Sequence, residues 1–277
     1  MARHLVCLSI DFDGITSWVN RGLAGPSGIS RGEFGVIGNE RILALFDKYQ
    51  IRATWFIPAQ VIETYPEQCK RIHLEGHEIG HHGDAHEAPA TLSREHEEAM
   101  LVRGKEVIRE LTGSYPRGYR SPSWELSYYS VELLVKHGFF YDSSLMGHDY
   151  MPYRARQGDV VVRDKVPQFG RASRLIEMPI SWARDDAPHF QYLRMPNYVS
   201  QGLKRAKDVL ENWLDDFRYM VETEEWGVLT YTLHSHVTGQ GYCMVMLDKL
   251  VQELRNFGAI FVSMDAAAEE FAQRCPP

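Results

Sequence analysis

The chain alternates between two patterns of apolar residues along nearly its whole length. Short continuous apolar runs, such as residues 5–10 and 53–57, are typical of buried strands. Longer segments in which apolar residues recur every three or four positions, such as residues 93–111, predict amphipathic helices. Strands separated by helices of this length indicate parallel β/α units, so we expect an α/β fold. No repeat or linker divides the sequence, and we expect a single domain over residues 1–277.

The remaining predicted strands are short and are separated by helical or irregular segments. They lie at residues 78–80, 118–121, 139–143, 175–178, 228–233 and 259–263. Asn39 is expected to cap the helix before the strand at 53–57, and Asp265 is expected to cap a terminal helix. Residues 21–38 contain six glycines without clear periodicity, which indicates a functional loop or a disordered segment.

Polar residues with catalytic chemistry follow the ends of the predicted strands. They are Asp11, Asp13, His82, His86, Arg120, Asp142 and His234. The carboxyl ends of parallel strands meet at one face, where α/β barrels carry their active sites. Polar residues without a function are not expected at strand ends so regularly, and we therefore expect these side chains to form one site.

Two short motifs carry the strongest signal for chemistry. Asp11 and Asp13 are two residues apart on a predicted strand, so their carboxylates point the same way. His82 and His86 are four apart, one turn from each other if the segment is helical, which suits a metal chelate. Together they supply one carboxylate and two imidazoles for a metal ion, with one carboxylate left as a base. This combination indicates metal-assisted hydrolysis.

Each of the two motifs also has an ordinary structural interpretation. An Asp-x-Asp sequence at a strand end is more often a turn or a helix cap. A pair of histidines four apart arises by chance in a chain with twelve histidines, and His77 with His81 forms a second such pair. The metal site is favoured because both motifs occur together with polar residues at the other strand ends.

Further positions supply candidate catalytic and binding groups. Arg120 would orient the spare carboxylate and Trp124 would form a pocket wall; alternatively, Arg120 makes a surface salt bridge and Trp124 fills the core. His234, held by a nearby carboxylate, is a candidate general acid, although a core histidine is the common alternative. Residues 181–186, which include Trp182, follow a strand and either line the pocket or are solvated.

Composition and charge argue against several classes of protein. The formal net charge of −7 disfavours a nucleic acid or an anionic membrane surface as partner. No apolar run approaches the length of a membrane span, and no export signal precedes the first strand. The four cysteines form no Cys-x-x-Cys motif, so neither a disulfide framework nor a thiolate metal site is indicated. We expect a cytoplasmic protein.

Four motifs occur in a fixed order along the chain. They are Asp11-x-Asp13, Gly76-His77-Glu78-Ile79-Gly80 leading to His82-x-x-x-His86, Arg120-x-Pro122-x-Trp124, and Leu233-His234-Ser235-His236. In this order the set resembles the NodB-type polysaccharide deacetylases. Trp124-Glu125 and Tyr141-Asp142-x-Ser144-Leu145-Met146 are similar to the branch of intracellular deacetylases and cyclic imide hydrolases. The resemblance covers residues 5–265 and implies a distorted (β/α)-barrel of seven strands.

This resemblance implies roles for the residues at the strand ends. The implied metal ligands are Asp13, His82 and His86. Asp11 is implied as the base, His234 as the acid, and Arg120 as the residue that orients the base. The carboxylate that supports the histidine corresponds to Asp142 or, as an alternative, to Asp149 ahead of Tyr150. The residues expected to bind substrate are Trp124, Trp182 and Trp18.

The resemblance implies a metal-dependent hydrolase of amide carbon–nitrogen bonds other than peptide bonds. Zn²⁺ is the expected ion, and Co²⁺, Fe²⁺ or Ni²⁺ also suit the ligand set. The substrate is expected to be an N-acetylated sugar or a cyclic imide, and a metal-independent, allantoinase-like ureide hydrolase is an alternative. Many secreted family members have Ser or Thr at the position of Gly83, which together with the missing export signal favours a small soluble substrate.

Two other classes of function fit parts of the sequence. Two histidines and one carboxylate also form the facial triad of non-haem Fe(II) oxygenases. Those enzymes usually present His-x-Asp/Glu and a distant His on an all-β scaffold, unlike the order and α/β pattern found here. A barrel that binds sugar without turnover is the second alternative, which the complete set of acid, base and metal ligands disfavours.

The glycine-rich stretch at residues 21–38 begins a few residues after Asp13 and must leave the barrel near the site. We expect an ordered lid, buttressed by a neighbouring subunit of a homodimer or homotetramer, with Trp18, Phe34 and Val36 as apolar anchors. A flexible surface loop is the alternative.

Overall fold

A curled, mostly parallel sheet surrounded by helices forms the body of the protein. The computed structural model describes residues 2–195 and 198–276. The strands are β1 (Arg3–Asp11), β2 (Thr54–Ile57), β3 (Glu78–His81), β4 (Gly118–Tyr119), β5 (Tyr141–Asp142), β6 (Tyr153–Gln157), β7 (Arg171–Glu177), β8 (Tyr192–Met195), β9 (Tyr198–Gln201), β10 (Trp226–His234) and β11 (Ile260–Phe261).

Helices connect most of the strands and cover the outside of the sheet. They are α1 (Thr16–Asn20), α2 (Pro26–Tyr49), α3 (Ala59–Thr64), α4 (Pro66–Leu74), α5 (Arg94–Thr112), α6 (Ser130–Lys136), α7 (Asp186–Phe190), α8 (Ala206–Thr223), α9 (Ser235–Thr238), α10 (Gly241–Asn256) and α11 (Met264–Arg274). Short 3₁₀ turns lie at Pro89–Thr91, Pro122–Trp124 and Trp182–Arg184.

Seven parallel strands form the wall of the barrel, in the order β10-β1-β2-β3-β4-β5-β7. Strand β6 pairs antiparallel with β7 at one edge, and β11 pairs with the start of β1. On the other side, a single bridge between Asp185 and Thr232 of β10 brings the chain after β7 back to the first edge. The prediction of a distorted seven-stranded α/β barrel is confirmed.

Strand β1 shows how the side-chain pattern divides the core. Its residues Val6, Leu8 and Ile10 belong to the apolar cluster formed with α2, α8 and α10 on the outside of the sheet. Leu5 and Cys7 alternate with them and belong to a second cluster with residues of β2, β5 and β7. Because side chains alternate along a strand, the odd-numbered residues of β1 all point to the same side, toward the other strands. Asp11 is the last of these residues.

The glycine-rich stretch is helical for most of its length, so the prediction of a loop there was wrong. Helix α2 begins at Pro26, and its glycines allow close packing that a larger residue would block. A Cβ at Gly38 would lie 1.8 Å from the carbonyl oxygen of Ser235, and one at Gly32 would lie 2.6 Å from that of Gly14. Close packing of α2 against Gly14 and Ser235 offsets the low helix propensity of glycine.

Two predicted helix caps were also wrong. Asn39 lies inside α2, fully buried, where its Oδ1 accepts a 3.0 Å hydrogen bond from the Trp55 indole. Helix α11 is capped by Ser263, whose hydroxyl accepts from the Ala266 amide, and not by Asp265.

Among the described residues, no helix combines the length and the apolar character that crossing a membrane requires.

Candidate active site

Side chains from four parts of the chain meet at the carboxyl ends of the parallel strands. Asp11 is the last residue of β1 and lies opposite His234 in the register with β10. His82 follows β3 directly, and Arg120 follows β4. The structure thus brings together six residues that the sequence predicted for one site: Asp11, Asp13, His82, His86, Arg120 and His234.

Asp13, His82 and His86 form a buried cluster whose potential ligand atoms lie within 4.8 Å of one another. The Asp13 carboxylate has one oxygen 3.5 Å from His82 Nε2 and the other 3.5 Å from His86 Nε2. Its Oδ1 is buried without a hydrogen-bond partner among the described residues. A buried carboxylate that lies between two imidazole nitrogens and has one oxygen without a donor fits a divalent cation.

The loop between the two histidines turns sharply and is not helical. Gly83 has φ +78° and His86 has φ +63°, which is the left-handed region. The Asn20 side chain of α1 holds this loop by donating to the carbonyl oxygens of Ala85 and His86 at 2.9 and 2.6 Å. These hydrogen bonds hold the loop backbone in place and so compensate for the strained conformation at His86.

His82 has a defined tautomer because its Nδ1 lies 2.8 Å from the carbonyl oxygen of Arg120. A carbonyl only accepts, so Nδ1 carries the hydrogen and the Nε2 lone pair faces Asp13. Burial lowers the pKa of His86 to about 4, which keeps this ring neutral and able to bind a cation.

Asp11 lies beside this cluster and is held by Arg120. Nη1 of Arg120 donates 2.7 Å to Asp11 Oδ1, while the second oxygen lies 3.9 Å from His82 Nε2 and 4.0 Å from His234 Nε2. The guanidinium is fully buried, stacks 4.2 Å from the Phe56 ring and donates 2.9 Å to Ser143 Oγ. Arg120 is therefore a fixed internal cation and not a surface residue.

The carboxylate that holds His234 is Asp186. His234 Nδ1 donates 2.7 Å to Asp186 Oδ1, and the His234 amide donates 2.8 Å to the other oxygen. Burial disfavours the imidazolium, but Asp185 and Asp186 outweigh it and raise the pKa of His234 well above its usual value. Burial also raises the pKa of Asp185 to about 7. The sequence did mark residues 181–186 as a possible pocket lining, without assigning Asp186 this contact.

The predicted pairing of His234 with Asp142 or Asp149 was wrong. Asp142 is fully buried and accepts 2.6 Å from Ser144 Oγ, opposite Glu177 in the register of β5 and β7. The Asp149 side chain is 57% exposed and lies 3.0 Å from the ring of the adjacent His148. The single bridge at Asp185 brings Asp186 to His234, a connection between distant segments that strand order alone did not reveal.

A cavity of about 620 Å³ opens above these residues. Trp124 and Trp182 form one wall, with their ring centroids 4.2 Å apart. Strands β8 and β9, which the sequence did not predict, contribute further lining residues: Leu193, Met195, Tyr198 and Ser200. Within residues 21–38, Arg21 is the described residue that lines this cavity, so the cover here comes from β8 and β9 and the predicted lid was wrong.

Trp18 does not belong to the described lining of this cavity, contrary to its predicted substrate contact. It is buried and meets the His236 ring edge-on at 5.6 Å, with Arg31 stacked on it at 5.3 Å. His77 and His81, the second histidine pair, are core residues. His77 packs 4.5 Å from Trp55, and His81 packs 5.4 Å from Tyr119.

Comparison with known proteins agrees with this arrangement. Residues 37–141 match the family model for polysaccharide deacetylase. The peptidoglycan deacetylase of Helicobacter pylori is 36% identical over an alignment that covers 100% of this chain and 99% of that protein. A crystal structure assigned as a polysaccharide deacetylase, from Mycobacterium smegmatis, is 28% identical and superposes with a TM-score of 0.84, covering 100% and 93% of the two chains.

The same fold occurs in a more distant enzyme. The crystal structure of PuuE allantoinase is 18% identical, with a TM-score of 0.81 and coverage of 100% of this chain and 92% of that one. At this identity the likeness concerns the fold alone. The full-length relative at 36% identity decides the family: the chain belongs to the polysaccharide deacetylases and is a hydrolase of amide carbon–nitrogen bonds.

Proposed function

We propose that this protein removes the acetyl group from a small N-acetylated amino sugar. The observation that carries this proposal is the adjacency of two groups of side chains. The cluster of Asp13, His82 and His86 lies beside Asp11, and His234 Nε2 is 4.0 Å from an oxygen of that same Asp11. At such a site, water can attack an amide carbonyl, and a side chain can protonate the nitrogen that leaves.

In this proposal Asp13, His82 and His86 hold a divalent cation, with Zn²⁺ as the expected ion. When bound, the ion would polarise the amide carbonyl and make water more acidic. Two neutral imidazoles and one carboxylate are a common ligand set of catalytic zinc. Because Co²⁺, Fe²⁺ and Ni²⁺ suit the same donors, the metal content of the purified native protein should be measured.

The protein supplies the proton transfers on two sides of the scissile bond. Asp11, oriented by Arg120, accepts the proton of the attacking water. His234, charged because of Asp185 and Asp186, donates a proton to the departing nitrogen. Trp182, which is exposed and packs on the buried Trp124, provides an aromatic surface for a sugar ring. Asp186 takes the supporting role that the sequence had suggested for Asp142.

A second candidate is the opening of a cyclic imide or ureide, which breaks the same kind of bond. The size of the cavity, about 620 Å³ with strands β8 and β9 on one side, suits a small ring as well as a monosaccharide. The relative with 36% identity, named as a peptidoglycan deacetylase, supports deacetylation. A net charge of −7 supports a small-molecule substrate over a nucleic acid.

One experiment separates these candidates. Purified enzyme loaded with Zn²⁺ is given N-acetylated amino sugars in one assay and cyclic imides in another. Acetate release without loss of imide absorbance supports the deacetylase, and the reverse result supports the imidase. Turnover by metal-stripped enzyme would contradict metal dependence and favour the ureide hydrolase alternative. Metal-dependent binding without any product would favour a binding barrel, and oxygen consumption with Fe(II) and 2-oxoglutarate would favour the oxygenase.

Asp11 and Asp13 provide a matched pair for testing the roles within the site. Asp11→Asn should lower kcat by about 10²–10⁴-fold while metal content stays near stoichiometric, because Asp11 acts as base. Asp13→Asn should lose the metal together with activity. Loss of metal in Asp11→Asn would show that Asp11 is a ligand and would contradict the assignment.

We also propose a cytoplasmic homo-oligomer. All four cysteines are free, as is usual in a reducing compartment. The segment between β6 and β7 exposes Val161, Val166 and Phe169 by 60%, 87% and 71%, an apolar surface that a second copy would bury. Cell fractionation and light scattering test the two statements. A monomer at micromolar concentration would contradict the second.

A further inference from the structure

The cavity above the site is electrostatically uneven. Three carboxylates lie among its lining residues: Asp11, Asp13 and Asp185. Arg21 is the one arginine or lysine among the described lining residues. Within the described part of the chain, Arg21 is therefore the single permanent cation that this cavity presents beside the histidines and the proposed metal cluster.

Arg21 holds its guanidinium in place without using most of its donors. Nη1 donates 2.8 Å to the carbonyl oxygen of Ser17, and the guanidinium lies 5.8 Å from the Trp18 ring. Across residues 2–195 and 198–276, no carboxylate forms a salt bridge with Arg21, although a guanidinium carries five N–H donors. Arg21 is half-buried, so its charge is only partly solvated.

An arginine that lines a neighbouring cavity provides a comparison with Arg21. Arg31 stacks on the same Trp18 ring, at 5.3 Å, but it lines a neighbouring cavity of about 470 Å³ together with Phe34 and Tyr192. Two arginines thus share one aromatic support, and Arg21 is the one that faces the cavity with the catalytic groups.

We propose that Arg21 is a specificity-determining residue that binds a carboxylate on the substrate. This inference rests on the proposed hydrolysis of an amide bond and adds the substrate class: small amides that carry an anionic group. A planar guanidinium pairs with a carboxylate through two parallel hydrogen bonds, and partial burial strengthens that pair. The metal cluster and His234 act on the amide while Arg21 fixes the far end of the molecule.

Two substrate types carry this chemistry, and matched pairs distinguish them. N-acetylmuramic acid differs from N-acetylglucosamine by an ether-linked lactyl carboxylate, and dihydroorotate differs from dihydrouracil by a ring carboxylate. Kinetics on both pairs are measured for the wild type, Arg21→Gln, Arg21→Lys and Arg31→Gln. Arg31→Gln is the control, since Arg31 shares Trp18 but lines the other cavity.

The wild type should prefer the carboxylated member of the pair that it hydrolyses. Arg21→Gln should raise KM for that member at least tenfold, with kcat and the neutral member changed less than twofold. Arg21→Lys should recover part of the loss because it keeps the charge. Equal effects of Arg21→Gln on both members, or none on either, would overturn the proposal.

A binding measurement separates this inference from the proposed reaction. Calorimetric titration of Zn²⁺-loaded protein with N-acetylmuramic acid and N-acetylglucosamine needs no turnover. If no substrate is hydrolysed, the proposed function fails, but weaker binding of the acid alone in Arg21→Gln would still support the carboxylate site. If hydrolysis occurs and the acid binds Arg21→Gln as tightly as wild type, the carboxylate does not contact Arg21 and this inference is wrong.

Discussion

Nη1 of Arg120 donates a 2.7 Å hydrogen bond to Oδ1 of Asp11, and both side chains are almost completely buried. The pair links the ends of β4 and β1, and its cation compensates for the removal of the Asp11 charge from water. Breaking such a pair leaves an unbalanced charge in the interior, which costs about 3–5 kcal/mol. The proposed base and the fold therefore depend on the same contact.

Arg120→Gln should reduce kcat by about 100-fold, because Asp11 loses the donor that fixes its direction. The same change should lower the free energy of unfolding, measured by urea denaturation. Arg117→Gln is the matched control, since Arg117 lies just before β4 and makes partly exposed ion pairs with Asp265 and Glu269. Unchanged kcat in Arg120→Gln, with folded protein, would argue against an orienting role.

Asp186→Asn should shift the pH profile of kcat. With Asp186 intact, the pKa of His234 lies well above 6.5, so His234 stays protonated and able to act as an acid into the alkaline range. Removing this charge lowers that pKa, so the alkaline limb should move to lower pH and kcat at pH 8 should fall by about 100-fold. Asp149→Asn, at the exposed position, should leave the profile unchanged. An unshifted limb in Asp186→Asn would contradict the assignment.

Asp142 and Glu177 form a buried pair that should share one proton. They are opposite each other in the register of β5 and β7, and each has one oxygen without a hydrogen-bond partner among the described residues. Burial raises the pKa of Asp142 to about 6 and that of Glu177 well above its usual value, further for Glu177 because of Asp142. Glu177 Oε1 also accepts hydrogen bonds of 2.8 Å from the amides of Ser144 and Leu145. These residues follow Ser143, whose hydroxyl oxygen accepts a hydrogen bond from Arg120.

Because both pKa values are raised in the fold, the pair stabilises the protein at acid pH, and the stability is lost as pH rises through about 6 and above. Glu177→Gln keeps a permanent donor toward Asp142, so its free energy of unfolding should fall less between pH 5 and 8 than that of the wild type, with activity retained. Glu177→Leu should lose about tenfold in kcat through displacement of Ser143 and Arg120. A Glu177→Gln protein as pH-sensitive as the wild type would contradict proton sharing.

Gly38→Ala should destabilise the protein and damage the site together. The new Cβ would lie 1.8 Å from the Ser235 carbonyl oxygen, so α2 and the residue after His234 must separate. Such overpacking costs about 1–3 kcal/mol, and the backbone contact places this change at the upper end. Gly241→Ala, at the first position of α10 where nothing lies within 4 Å, should change neither the denaturation midpoint nor kcat. Equal stability of the two variants would mean that the close approach is not required.

The sequence by itself determined the features of this protein that do not depend on which strands are neighbours in the sheet. The apolar run before Asp11 predicted a buried strand, and the alternation of strands with helices predicted parallel β/α units. The resemblance to the deacetylase family implied that these units form a barrel. Side-chain alternation then pointed Asp11 and Asp13 toward one face, and the histidines after β3 completed a candidate ligand set. These features depend on local periodicity and on the rule that parallel strands end at one face.

The tertiary structure alone decided which distant groups meet. Asp186 and not Asp142 holds His234, because the chain after β7 returns to β10 through the bridge at Asp185 and Thr232. Residues 26–38 form a helix despite their glycines, because the missing side chains permit packing against Ser235 that local propensity does not record. The tertiary structure also decided that Arg21 lines the same cavity as His82 and His234, because residues so far apart in the sequence leave no sign of their proximity in the local pattern.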